Sequence, residues 1–167
     1  MAIREILTYP NQLLRRPTET VTAFNDALKQ LAADMIETML AAPGVGLAAN
    51  QVGACVSMVI IDVSLSREEP RQLVLVNPRI VESAGTQVDE EGCLSVVDYS
   101  AKVKRFRTIT VCARDLAGKP LEFPAEDHFA RVIQHEVDHL EGILFIDRLS
   151  SLKRALYKKQ LKKRLKE

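Results

Sequence analysis

The stretch Gln134-His135-Glu136-Val137-Asp138-His139-Leu140-Glu141-Gly142 decides how this chain is read. Two imidazoles four residues apart on a helix lie about 40° apart around its axis, so both can face one metal ion. Glu136 follows the first imidazole directly, where it can reach water at the ion without being a ligand itself. Two ligands and a base are what metal-assisted hydrolysis of an acyl group needs. The pattern predicts a helix over 126–141, with Glu126 and Asp127 at its positive end and Gly142 placed to stop it.

A catalytic site of this kind also needs a third protein ligand and an open position. The chain has three histidines, and His128 lies seven residues before His135. That is about 10.5 Å along a helix, too far to share the ion. No histidine follows His139, and beyond Glu141 the only carboxylates are Asp147 and Glu167. The ligand is therefore expected upstream, and Cys93 in Glu91-Gly92-Cys93-Leu94-Ser95 is the best candidate. A thiolate beside two imidazoles suits Zn2+, Fe2+ or Co2+. Taken alone, a single cysteine reads more readily as a small buried apolar residue.

Three blocks in order, Gly44-Val45-Gly46-Leu47-Ala48-Ala49-Asn50-Gln51-Val52-Gly53, Glu91-Gly92-Cys93-Leu94-Ser95 and the histidine block, resemble the peptide deformylase family over about residues 6–149. The resemblance implies a hydrolase that removes the N-formyl group from the initiator methionine of nascent polypeptides and releases formate. Cys93, His135 and His139 would hold one divalent ion, usually Fe2+ in the family, with Zn2+, Ni2+ or Co2+ also accommodated. Glu136 would take the proton from water and pass it to the leaving amine. The Gln51 side-chain amide and the Leu94 backbone N–H would form the oxyanion hole, each such donor being worth about 3 kcal/mol of barrier. Backbone at Val45, Gly46 and Gly92 would pair with the extended substrate, and Gly44 and Gly46 would keep side chains out of its way. Glu91 would be no ligand but the partner of Arg105, bracing the strand that carries Cys93.

The chain departs from the family at three places. Val97 stands where many members have proline after the Glu-Gly-Cys-Leu-Ser run, and Asp98-Tyr99-Ser100 stands where some carry a substrate-gripping arginine. The wall of the methionine pocket is expected from Phe129, Val132 and Ile133, with Arg131 intruding. None of these touches the metal set.

The remaining sequence predicts an α+β fold, with antiparallel β-sheets packed around a central HExxH helix between an N-terminal and a C-terminal helix. Residues 25–42 read as an amphipathic helix capped by Asn25 and stopped by Pro43-Gly44. Strands are expected at 56–63, at 73–77, near 92–96 carrying Cys93, and over 103–113, with a turn at 115–120. The segment 64–70 reads as the most mobile loop. At 167 residues the chain predicts one catalytic domain, 1–149, followed by a basic helical tail, 150–167. That tail carries eight Lys/Arg against one acid, or +7, on a body of fifteen against twenty-one, or −6. Such an asymmetry points to an anionic partner, with ribosomal RNA the natural one for an enzyme of nascent chains, or else to a plain solvated helix. Nothing points to DNA or to a membrane: there is no 18-residue apolar run and no signal-peptide pattern. Three cysteines without a CxxC argue for a reducing cytoplasm rather than a disulfide framework. Two other readings remain at this point: an HExxH metallopeptidase whose third ligand is not Cys93, and a catalytically silent metal-holding module that docks on ribosomes.

Overall fold

In the computed structural model, which describes residues 2–64 and 71–166, apolar alternation sorts the middle of the chain into two sheets. The elements in order are α1 (Asp26–Ala41), β1 (Gly46–Ala48), β2 (Met58–Asp62), β3 (Gln72–Ala84), β4 (Gln87–Cys93), β5 (Val96–Arg105), β6 (Thr108–Arg114), β7 (Pro120–Glu126), α2 (Asp127–Leu140) and α3 (Ser151–Leu165). Five strands form one antiparallel sheet in the order β1-β2-β3-β6-β7, and β4 and β5 form a separate hairpin. This is the expected α+β arrangement around the HExxH helix.

The run Met58-Val59-Ile60-Ile61 is apolar at every position because β2 is covered on both faces. Val59 and Ile61 pack with Leu75, Val111, Ala130 and Ile133 on the α2 side. Met58 and Ile60 pack with Met35, Met39 and Val76 on the α1 side. α1 begins as its sequence predicts, with the Asn25 side chain accepting from Leu28 N–H at 3.0 Å. A third cluster joins the hairpin to the C-terminal helix: Val96, Val103 and Phe145 pack against Tyr157 of α3. Ser150 caps α3, the Tyr157 ring packs at a tilt against Tyr99, and Arg164 donates to Val97 O at 3.2 Å. The helix therefore lies along the hairpin.

The strand boundaries differ from expectation in three places, each for a local reason. β3 continues past Asn77-Pro78, a pair that reads as a strand end. Asn77 takes φ 52° in a bulge, and its side chain accepts from Val21 N–H and donates to Val21 O, an improvised rung of ladder. The strand expected near 92–96 is a hairpin instead: β4 ends at Cys93, Leu94-Ser95 turns, and Val96 pairs back with Cys93. No glycine or asparagine marks the turn, which is held by Ser95 N–H pointing at Cys93 Sγ, 3.4 Å. The single run expected over 103–113 breaks at Phe106-Arg107, where the chain leaves the hairpin for the large sheet. The segment 64–70 lies, apart from Ser64, outside the described residues.

Candidate metal centre and active site

α2 crosses the sheet with ten of its fourteen residues buried, six of them polar or charged. Its apolar side supplies the core, so the helix must carry its histidines inward toward the hairpin. Glycine ends it: Gly142 has φ +78°, and a Cβ there would collide with the backbone carbonyl of Arg15. His135 and His139 present Nε2 atoms 3.2 Å apart, and Cys93 Sγ lies 3.3 Å from that of His139. All three donor atoms fall within 4.8 Å of one another. Ligand bonds of about 2.0–2.3 Å meeting tetrahedrally put neighbouring donors about 3.3–3.6 Å apart, so this set fits one divalent ion. The orientation of the ring agrees: His135 Nδ1 lies 2.9 Å from Glu91 Oε1, a carboxylate that can accept its N–H and turns Nε2 toward the other donors.

The electrostatics divide the carboxylates into two kinds. Burial pushes the Glu136 carboxyl up to about 7, and its Oε2 has no hydrogen-bond partner among the described residues. Burial also opposes ionisation of Glu91, but Arg105 and His135 outweigh it and hold that carboxyl at about 2. Arg105 grips Glu91 through Nε and Nη2, both at 2.8 Å, so the expected pair is present and buried. Sequence reading missed the rest of this network. Arg131 also donates to Glu91, Arg105 also pairs with Asp138, and Arg148 holds Asp138 at 2.8 and 3.0 Å. The available signal was three charged side chains, Arg131, Glu136 and Asp138, on a helix otherwise patterned for burial.

A cavity of about 370 Å³ opens over the donors. Gln51, Cys93, Leu94, His135 and Glu136 line it, as do Val45, Gly46 and Gly92; His139 is fully buried beneath. All nine residues singled out in the sequence are thus brought together. Gln51 is fixed by its own turn, its Oε1 accepting from Ala48 N–H at 2.9 Å. Its Nε2 donates to Ser95 Oγ at 3.0 Å and stands 3.6 Å from Cys93 Sγ. Gly46 has a tighter requirement than room for a ligand: a Cβ there would stand 2.9 Å from Glu136 Cγ. Val45 O accepts from Asp62 N–H, which makes that pair hydrogen-bonded, and the alternation of antiparallel ladders then turns the Gly46 N–H and C=O outward along the open edge of β1. The outer edge of β4, carrying Gly92, is likewise unpaired among the described strands.

The expected pocket wall is corrected. Val132 and Arg131 line the cavity, with His128 at its exposed end, but Phe129 stacks on Phe123 and Ile133 enters the core. Helix geometry explains the sorting: 128, 132 and 136 share one row and 131 and 135 the next, whereas 129 and 133 turn toward the sheet.

An α+β fold with an HExxH helix, a convergent Cys/His/His donor set and an adjoining cleft between open strand edges defines a metal-dependent hydrolase class. Residues 3–155 match the polypeptide deformylase family. The chain is 52% identical to the peptide deformylase of Desulfotalea psychrophila over 165 residues, covering 98% of this chain and 97% of the relative. It superposes on the crystal structure of a peptide deformylase from Legionella pneumophila with TM-score 0.90 and 44% identity, covering 99% and 96% of the two chains. A Met-Ala-Ser-bound class I type b peptide deformylase from Acinetobacter baumannii gives TM-score 0.84 at 34% identity, covering 89% of this chain and 99% of that one. The chain belongs to the polypeptide deformylase family, metal-dependent hydrolases that remove the formyl group from nascent polypeptides. Among the described residues no helix is long and apolar enough to cross a membrane.

Proposed function

We propose that Cys93, His135 and His139 hold one divalent ion, natively Fe2+, and that Glu136 is the general base of deformylation at this site. The observation that carries the reading is a donor triad spaced for one ion beside a buried carboxyl whose affinity for a proton has been raised to near neutrality. When bound, the ion would activate water and polarise the formyl oxygen. Glu136 takes the proton from water at its unpaired Oε2 and delivers it to the departing amine. Gln51 Nε2 and Leu94 N–H receive the charge that develops on the formyl oxygen, both fixed in advance by the turn at 94–95 and by the Ala48–Gln51 contact. Gly46 and Gly92 offer backbone groups on facing edges to an extended peptide, while Val45, whose carbonyl is committed to Asp62, adjoins Gly46 at the rim of the cleft.

A soft thiolate with two imidazoles accepts Fe2+, Zn2+, Ni2+ or Co2+, and the three free cysteines suit a reducing cytoplasm that also protects Fe2+. Catalysis belongs to residues 1–149. The basic segment 150–167 is a docking element for ribosomal RNA, supported by a nearly all-exposed row of lysines on α3. The test is formate release from formyl-Met-Ala-Ser by protein loaded anaerobically with Fe2+ or Ni2+, beside Cys93→Ala. Release by the parent and loss of both metal and activity in the variant is expected. A metal-loaded protein that releases no formate rejects the reading.

A further inference from the structure

We propose that Asn50 is a positioning residue of the metal centre: its side chain fixes the end of α2 that carries His139 against the turn that carries Gln51. The inference rests on the deformylase reading of the site and deepens it. His135 and His139 are held in different ways. The His135 ring is turned by Glu91, 2.9 Å from its Nδ1. The His139 ring has no such partner: its Nδ1 is buried and meets no hydrogen-bonding group among the described residues. Ligand imidazoles are ordinarily oriented through the nitrogen that does not face the ion. His139 is also the last residue but one of α2, in the part of a helix that frays most readily. Its placement must come from its backbone, and that backbone carbonyl accepts from Asn50 Nδ2.

Asn50 stands beside Gln51 in the short turn Ala49–Val52. Gln51 reaches the other way, donating at 3.0 Å to Ser95 Oγ, two residues past Cys93. Two successive side chains thus join the two elements that supply ligands, the hairpin through Gln51 and α2 through Asn50. Among the described residues the Asn50–His139 bond is the one hydrogen bond between this turn and α2. Thr18 grips the neighbouring Leu140 carbonyl, but it leads on to Ser57 and the large sheet, away from the catalytic turn. The bond suits a role in geometry more than one in folding. Asn50 is buried, and its Oδ1 has no partner among the described residues. An amide satisfied at one end only adds little to stability, so an apolar side chain of similar shape should cost the fold little. The His139 carbonyl would not be stranded by that change, since it also accepts from Gly142 N–H at 3.0 Å. What would be lost is the link that keeps His139 Nε2 3.3 Å from Cys93 Sγ.

Asn50→Leu keeps the shape of the side chain and removes the donor. The metal-free variant should unfold at the same denaturant concentration as the metal-free parent. Its affinity for Co2+ should fall about tenfold, the usual consequence of losing a group that orients a ligand. The visible absorption of the Co2+ protein should shift as the ligand geometry relaxes. With Co2+ saturating, kcat for formyl-Met-Ala-Ser should fall while KM stays within about twofold, the pattern of a lost transition-state interaction. That split follows from position, because Asn50 does not line the cleft. Asn50→Ser, too short to reach the carbonyl and small enough to leave the packing in place, guards against loss of the fold and should show the same pattern.

A purely structural Asn50 would lower the denaturation midpoint of the metal-free protein and leave the Co2+ affinity and spectrum of the folded fraction unchanged, and that result overturns the proposal. Parent-like Co2+ binding in both variants overturns it too, as does a parent that binds no Co2+. Failure of the deformylase reading would appear instead as no formate from any of the three proteins, with Co2+ affinity and spectrum still deciding the role of Asn50.

Discussion

α2 and α3 are helices of fourteen and fifteen residues, and they treat charge in opposite ways. α2 buries Arg131, Glu136 and Asp138 together with both histidines. α3 carries seven Lys/Arg and buries only Tyr157. In α2 Arg131 and Asp138 lean on partners, while Glu136 stands apart: Arg131, Glu91, Arg105, Asp138 and Arg148 alternate in sign through the molecule beneath the histidine rings. In α3 the charges lean on water, where salt screens them and individual contributions to stability are small. Substitutions in the first helix should therefore report on folding and chemistry at once, and those in the second almost purely on partners.

The largest effect is expected at Glu136. Glu136→Gln should lower formate release about a thousandfold while metal analysis finds the ion retained, the pattern for loss of a general base. The metal-free variant should show the opposite sign in stability. The Glu136 pKa rises on folding from 4.5 to about 7, so the fold disfavours the ionised form. Stability is then intact below 4.5 and is lost as pH climbs through 7, a loss that glutamine escapes. Metal-free Glu136→Gln should unfold at higher denaturant than the parent at pH 8 and at about the same concentration at pH 4. Matching midpoints at both pH values would mean that Glu136 is not held in an ion-disfavouring site.

Next in size is the network itself. Arg105→Ala removes the cation shared by Glu91 and Asp138, both of which stay buried, and should cost about 3–5 kcal/mol in chemical denaturation. Arg107 makes a comparable pair with Asp127, but on the surface, with side chains 64% and 62% exposed. Arg107→Ala should cost under about 1 kcal/mol. Similar losses for the two would erase the distinction between buried and solvated charge. Acid offers a milder probe of the same element. The Glu91 pKa falls on folding from 4.5 to about 2, so its contribution is complete above 4.5 and disappears as pH drops toward 2. The metal-free protein should lose up to about 3 kcal/mol across that window, and Glu91→Gln should flatten the slope. An unchanged slope would place the acid sensitivity elsewhere.

How far the sequence alone reached follows the same division. The imidazole pair, its flanking carboxylate and the caps of α1 and α2 are local patterns, spaced by helix geometry, and could be read directly. The Arg105 partnership came only through family likeness. Arg131 was noticed as an intrusion into an apolar wall, yet its partner Glu91 lies forty residues away and no spacing rule connects them. Arg148 and Asp138 were invisible for a similar reason, since a charge ten residues from another is ordinarily a surface event. The turn at Leu94-Ser95 was read through as strand because its stabilising contacts come from Gln51 and the Cys93 sulfur rather than from turn-forming residues.

The smallest effect on the protein itself is expected in α3. Replacing Lys158, Lys159, Lys162 and Lys163 by glutamine removes four cations that no ion pair engages among the described residues, while Tyr157 and Arg164, the side chains that hold the helix to the hairpin, remain. Stability should change by under about 0.5 kcal/mol per site, and turnover of a short formyl peptide should match the parent. Binding to ribosomes should respond instead. A helix that displaces counterions from RNA binds less tightly as salt rises, and each lysine removed lowers the slope of log K against log salt by up to about 0.7–0.9. The parent should therefore co-sediment with ribosomes at low salt and lose that association steeply, and the four-lysine variant should bind weakly with a shallow dependence. Equal co-sedimentation of the two would assign the lysines to solubility and return α3 to the role its packing already explains, a brace along the hairpin that carries Cys93.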